Sequence, residues 1–478
     1  MLVALKKIAI FAILAGTCSA FSAPSQLTPA QARHFLVRTG FAPTQAEVDA
    51  QAGKSAQTAV SETLALAKVS QPIHPAPSFV AQAPPVPFAL LKTQEERQAQ
   101  RREQLREGLA MKTWWMREMI ESPAPLQERM TLFWHNHFAT SQQKVVRSQA
   151  MWNQQQLIRA HALGSFATLL HGVAKDPAML VYLDGANSRR EAPNENFARE
   201  VMELFTLGEA THGGGYTEQD IREAARAFTG WSIERETFSF RFRPMFHDSG
   251  SKTVLGRSGN FDGDTVLDVM LAQDATARFI VGKLWREFVS PTPDAVELDR
   301  IAKRFRASGY DISTALSDLL LTDAFWAADN AGSLVKSPVD LVVGTMRQFG
   351  VGYSDATPFA LKSAQLGQNL LIPPNVKGWP GYTDWINASS LLERKRFSEQ
   401  LFRQGEFKVA QAITRISFDA DQWLARYGIR ADGVPSDEQK ARLVPVVLGV
   451  PATQVIADGT VGVAYLRALT LDPAYQLK

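Results

Sequence analysis

Two of the chain's eight histidines stand two residues apart in "LFWHNHFATS", Leu132 to Ser141, as His135 and His137. Imidazole nitrogens bind metals or move protons, so this spacing raises both chemistries. On a strand, positions two apart point the same way and could grip one ion; on a helix they diverge by about 200°. The preceding "PAPLQERMTL" reads as a helix start, and Leu126, Met130, Phe133 and His137 share one helical face. If that helix runs on to residue 138, His137 turns to the core and His135 away from it. At most one of the two then joins a shared site.

Carboxylates come from "NENFAREVMELFTLG", where Asn194 can cap a helix, Glu195 suits its first turn and Gly208 can end it. Phe197, Val201, Leu204 and Phe205 fill one face, while Glu195, Arg199 and Glu203 run along the other. Glu200 falls about 60° from Phe197, at the edge of the apolar stripe. A carboxylate placed there needs a partner, a proton or a metal, because burying it alone is costly. The next helix, "TEQDIREAARAFTGW", has Thr217 and Asp220 at capping-box spacing, which gives Asp220 a structural use.

"FHDSGSKTVLG" adds His247, Asp248 and Lys252 in a turn-like setting, where Asp-Ser-Gly is also ordinary turn chemistry. "GQNLLIPPNVKGWPGYTDWINASSLLERKRF" is a long irregular stretch carrying Trp379 and Trp385. A loop this long and aromatic either binds a flat ligand such as a carbohydrate or plugs a core. The site that these residues could form gathers His135 or His137, Glu200, Glu203, His247 and Asp248. Within it, His137, Glu200 and His247 are the metal ligands suited to zinc, manganese or iron, and Arg199 and Lys252 would orient an anionic substrate.

The elements that must position these residues are mostly helical. The periodicity predicts a mainly α, large multi-helix globular domain with one small β-hairpin, formed by the alternating "TFSFRFRPMF" (Phe238, Phe240, Phe242) and "KTVLG" across "HDSGS". Residues 1–20 read as a signal peptide: Lys6 and Lys7, the run "IAIFAILAG", then Cys18-Ser19-Ala20 as a small-residue cleavage site, with the cut after Ala20. Residues 21–70 form an N-terminal helical segment in which Thr28 caps, Pro29 starts and Gly40 ends a helix. A Pro-rich linker covers 71–90, the main helical domain 91–403 and a C-terminal helical tail 404–478.

Bulk properties narrow the function classes. The only cysteine, Cys18, lies in the signal, so the mature chain has neither a disulfide framework nor a thiolate metal site. Losing residues 1–20 removes two lysines and no acid, leaving 49 basic against 48 acidic side chains. That balance gives no electrostatic case for nucleic acid. No later run is apolar for the eighteen or so residues of a membrane span. The expectation is a soluble product, periplasmic or secreted.

Seven segments carry a resemblance: "LFWHNHFATS", "DPAMLVYLDG", "NENFAREVMELFTLGE", "YTEQDIREAARAFTGW", "HDSGSKTVLG", "PPNVKGWPG" and "WINASSLLERKRF", in that order. With them the chain resembles the bacterial family catalogued as domain of unknown function 1800, over residues 30 to 403. "THGGGYTE" departs from the pattern, and His212 within it receives no role. The resemblance implies an exported, mainly α-helical protein. Members often occur beside a second exported family that resembles sulfatases and alkaline phosphatases, which implies a joint role in processing extracellular or periplasmic polymers.

Two function classes follow. One is an exported metal-dependent enzyme built on the His/Glu site, whose ion activates water, or oxygen if it is iron. The other is a non-catalytic binding or assembly factor for an exported phosphatase- or sulfatase-like partner, in which the same residues form a structural network. Convergence of His137, Glu200 and His247 in space separates them.

Overall fold

The computed structural model describes residues 23–83, 85, 86, 90–403 and 405–478. The expected signal peptide and its cleavage site lie outside the described residues. Helix dominates, with 22 helices and three small sheets of two or three strands among the described residues. None of these helices is long and apolar enough to cross a membrane.

Buried side chains collect in two clusters. One gathers Phe35, Met130, Trp134, Phe138, Phe166, Phe197, Phe205 and Trp285; the other gathers Trp115, Leu132, Trp152, Val342, Phe359, Phe397, Trp423 and Tyr475. The helix Pro125–His137 lies between them and is covered nearly all round. A helix so placed must satisfy its polar residues internally. Gln127 donates to Arg159 O at 2.6 Å, and Glu128 takes a forked pair from Arg159 and a bond from Trp115 Nε1 at 3.2 Å.

Local capping chemistry sets many helix ends. Thr28 forms a capping box with Gln31, Pro29 opens the helix Pro29–Thr39, and Gly40 ends it. Thr217 and Asp220 form the expected box on Glu218–Ala227. Ser148–His161 and Phe166–Ala174 are two separate helices, with Gly164 in the turn between them. The "NENFAREVMELFTLG" helix starts at Asn194 but changes pitch: Glu195–Glu200 is α and Val201–Thr206 is π, closed by Leu207 N to Met202 O at 2.7 Å. Gly208 follows at φ +82°, and a Cβ there would sit 2.9 Å from the Phe279 ring.

The strand expectation needs correction. Phe240–Phe242 pairs with Trp231–Ile233, and Lys252–Val254 pairs with Arg257–Gly259, so two separate hairpins replace the one expected. Phe238, at φ +53°, belongs to the turn that joins the first pair. Each strand finds its nearer partner, because a short loop closes at less entropic expense than a long one. A third sheet joins Gly352–Tyr353, Gly405–Val409 and Ala412–Ser417.

The segments at either end pack on this body. In the Pro-rich stretch, Ile73 N and His74 N donate to the buried Glu118 carboxylate at 3.1 and 2.7 Å, and Phe79 is buried. Residues 405–478 supply Trp423, Leu466 and Tyr475 to the second cluster. Backbone bonds between Leu334 and Lys478 tie down their last residue.

Candidate functional site

The three residues of "HNH" point three ways from one helix turn, and each does different work. His137 faces the first cluster. Its Nδ1 lies 3.0 Å from Lys283 Nζ, and its Nε2 lies 3.2 Å from Phe205 O. A lysine ammonium only donates, so Nδ1 accepts and the ring proton sits on Nε2, donating to the carbonyl. Phe205 lies in the last turn of its helix, where carbonyls lack helical partners, so His137 fills that need. Burial, and then the Lys283 charge, hold the His137 pKa well below its usual value and keep the ring neutral.

Asn136 Oδ1 accepts from Trp379 N at 2.7 Å, which pins the aromatic loop to the helix. Gly378 makes this approach possible: its φ is +89°, and a Cβ would lie 2.6 Å from Asn136 O. His135 faces the second cluster, edge-on to Trp115 at 5.4 Å and tilted on Trp379 at 5.6 Å. Among the described residues neither of its ring nitrogens has a hydrogen-bond partner, and burial lowers its pKa to about 4. His135 therefore does not turn out of the core as the helix geometry predicted, because the opposite face of its helix is buried too.

A cavity of about 330 Å³ opens beside this turn. Phe133, Asn136 and His137 form one wall, Phe279, Lys283 and Arg286 of the helix Asp274–Phe288 another, and Trp379, Tyr382 and Trp385 a third. At its base Arg129 pairs with Glu287 at 2.5 Å and with Asp340, while Lys478 Nζ reaches Asp340 at 2.8 Å. Burial would raise the Asp340 carboxyl, but Arg129 and Lys478 outweigh it and hold the group well below the usual carboxylate range.

Lys283 is different. Among the described residues neither it nor Arg286 has an ion-pair partner. Its ammonium rests on His137 and near the Phe279 ring, 5.2 Å from the centroid. Burial, and then Arg286, push its pKa down to about 8. The cavity thus presents two cations without acids against a half-aromatic wall.

The other expected site residues lie elsewhere in local pairs. Glu200 does not meet His137; it is half-buried, raised by burial and by Glu203, with Lys377 opposing. Glu203 lies 3.9 Å from Lys377 Nζ. The pitch change after Glu200 redirects the end of that helix, so its Phe205 carbonyl reaches His137. His247 Nδ1 bonds Thr229 O at 2.9 Å. Asp248 is forked by Arg226 at 2.7 and 3.1 Å, and Lys252 Nζ clasps the turn through Asp248 O and Gly250 O. Arg199 is forked onto Glu218 at 2.7 Å. Among the described residues no group of three or more His, Cys, Asp or Glu is arranged to hold a metal ion, so His137, Glu200 and His247 do not form the expected ligand set.

Of the expected residues, the cavity brings together His137, Trp379 and Trp385, with His135 behind Trp379. Sequence reasoning missed Lys283, Arg286, Asn136 and the Arg129–Asp340–Lys478 group. The one available signal was Lys283 itself, set between Val281 and Leu284 in "RFIVGKLWREFV".

No match was found among curated proteins or solved structures. A family model does match residues 34–477, nearly the whole chain and well past residue 403, where the expected resemblance ends. The matched region holds the histidine turn, Lys283 and the tryptophan loop, and the chain belongs to the family described as protein of unknown function (DUF1800).

Proposed function

We propose that this protein works outside the cytoplasm as a binder of small molecules that carry a negatively charged group, and that the cavity beside His137 is where they bind. One observation carries the reading: the Lys283 ammonium, held by a neutral histidine, faces a cavity with Arg286 nearby and no acid on either. A cation in partly dry surroundings gains most from an anion that brings hydrogen-bond acceptors. Phe133, Trp379 and Trp385 supply the apolar wall that small-molecule sites share. Export is supported by Lys6 and Lys7, the apolar run and the small residues at Cys18-Ser19-Ala20. A phosphatase- or sulfatase-like companion would release anions of the kind this cavity suits.

A second reading makes the same cavity catalytic. With its pKa near 8, Lys283 exchanges its proton close to neutral pH and could move one on a bound ligand, with His137 fixing the amine. That enzyme would be built on Lys283 in place of the metal site expected from the sequence. Calorimetric titration with small carboxylates, phosphate esters and sulfate esters, each beside a neutral analogue, tests both readings. The expected result is binding of one anionic class, weakened about ten- to a hundredfold by Lys283→Met, the worth of one charge-assisted hydrogen bond. Equal binding of neutral analogues, or an unaffected Lys283→Met variant, overturns the binding reading. Turnover of a bound ligand that vanishes in Lys283→Met selects the catalytic one.

A further inference from the structure

We infer that a second, smaller cavity, between the first helix and the segments that close the fold, is an anion site holding one oxyanion of phosphate or sulfate size between Arg33 and Lys336. The cavity measures about 60 Å³ and is lined by Arg33, Lys336, Gln348, Val37, Val447 and Val450. One water needs about 10–15 Å³ of such space, so there is room for a tetrahedral ion or several waters.

Arg33 projects from Pro29–Thr39 and is only 6% exposed. Its guanidinium has no ion pair among the described residues, and its buried Nε has no hydrogen-bond partner. Lys336 is equally buried; it gives one bond to Tyr475 O at 2.7 Å and lies 4.1 Å from that ring's centroid. Two buried cations lining one small cavity are unfavourable unless something offsets them. Burial lowers Arg33 to about 10; burial, and then Arg33, lower Lys336 to about 7.

The surrounding charges do not supply the missing acid. Asp340 acts on Lys336 from a distance but is itself paired with Arg129 and Lys478. Arg394 and Lys478 add positive charge nearby. His34, in the cavity wall, is bonded to Phe325 O, and burial lowers it to about 4, so it stays neutral. An oxyanion would accept from the open side of the Arg33 guanidinium and from the Lys336 protons that Tyr475 leaves free. It would thereby join the first helix to residues 336 and 447–450.

The test is thermal unfolding of the full chain with inorganic phosphate or sulfate, against chloride at equal ionic strength. The expected result is a saturable rise in Tm, beyond the linear stabilisation that both anions give to any protein by exclusion from its surface. In the Lys283→Met chain, where the main cavity has lost its anchoring cation, a saturable part should remain, and adding Arg33→Met should abolish it while leaving the linear part. Loss of saturable binding through Lys283→Met alone bears on the binding reading above, so the two failures are distinguishable. A purely linear response of the Lys283→Met chain, or a saturable one that survives the added Arg33→Met, overturns the inference. Should Arg33→Met fail to fold, selenate soaked into crystals of the unaltered chain decides: a selenium signal within hydrogen-bond reach of Arg33 supports the site, and none there overturns it.

Discussion

If the Lys283 ammonium anchors an anion, pH must act on binding in a range where most lysines are silent. An exposed lysine loses its proton near 10.4. Lys283, pushed down to about 8 by burial and Arg286, is charged at pH 7 and largely neutral at pH 10. Anion affinity should therefore hold steady below pH 8 and fall about tenfold per pH unit above it, until the raised pKa of the complex levels the slope. Titration calorimetry from pH 7 to 10 reads this directly, and Lys283→Arg, which cannot deprotonate there, should flatten the profile. Stability of the empty protein should move the other way. The folded pKa is lower than the unfolded one, so the unfolded chain holds more protons between about 8 and 10.5, and stability rises with pH across that window. The gain is roughly 1–3 kcal/mol, reduced because the ammonium opens to the cavity, and it is read as the difference between the unaltered chain and Lys283→Met in urea unfolding. Affinity that stays flat to pH 10, or the same stability profile in both chains, refutes the reasoning.

Other expectations follow from the same geometry. Gly378→Ala should destabilise by about 2–5 kcal/mol through left-handed strain and the clash with Asn136, measured by urea unfolding. His135→Phe should be neutral or stabilising by up to about 1 kcal/mol, because both ring nitrogens are buried without hydrogen-bond partners among the described residues. His137→Phe should lose about 2–4 kcal/mol, since it strands the Phe205 carbonyl and the Lys283 ammonium; equal effects at the two histidines would contradict their separate roles. Asp340→Asn should cost about 3–5 kcal/mol by leaving Arg129 and Lys478 without their shared acid.

Helix ends were legible wherever the capping group is a neighbour in sequence. Thr28 with Gln31 and Thr217 with Asp220 need nothing beyond their own turns. The two hairpins were not, because "WSI" is too short to show alternation and the partner of Phe240–Phe242 depends on which loop closes first. Nor was the pitch change at Val201, since an α and a π turn draw on the same residue types. That one change separates a correct inference from a wrong one. The apolar stripe correctly turned His137 inward toward the Asn194-capped helix, yet the residue it meets is Phe205 and not Glu200.

The candidate site shows the same division more sharply. Motif reading finds residues whose types announce chemistry, so it gathered His247, Asp248, Glu200 and Arg199, nearly all of which the fold commits to ion pairs and turn contacts. What marks Lys283 is that its ammonium, without an ion-pair acid among the described residues, faces the main cavity from beside His137, and that is a property of its surroundings. Three stretches far apart in sequence create those surroundings: His137 on one helix, Gly208 packed on Phe279 at the end of another, and the loop that Asn136 holds through Trp379. Each contact is readable once the chain is folded, and none follows from spacing within a segment. The tryptophan loop marks the limit between the two. Its aromatic density singled it out from sequence alone, and core filling and cavity lining turn out not to exclude each other: Trp379 and Trp385 are buried in the second cluster and wall the cavity at once.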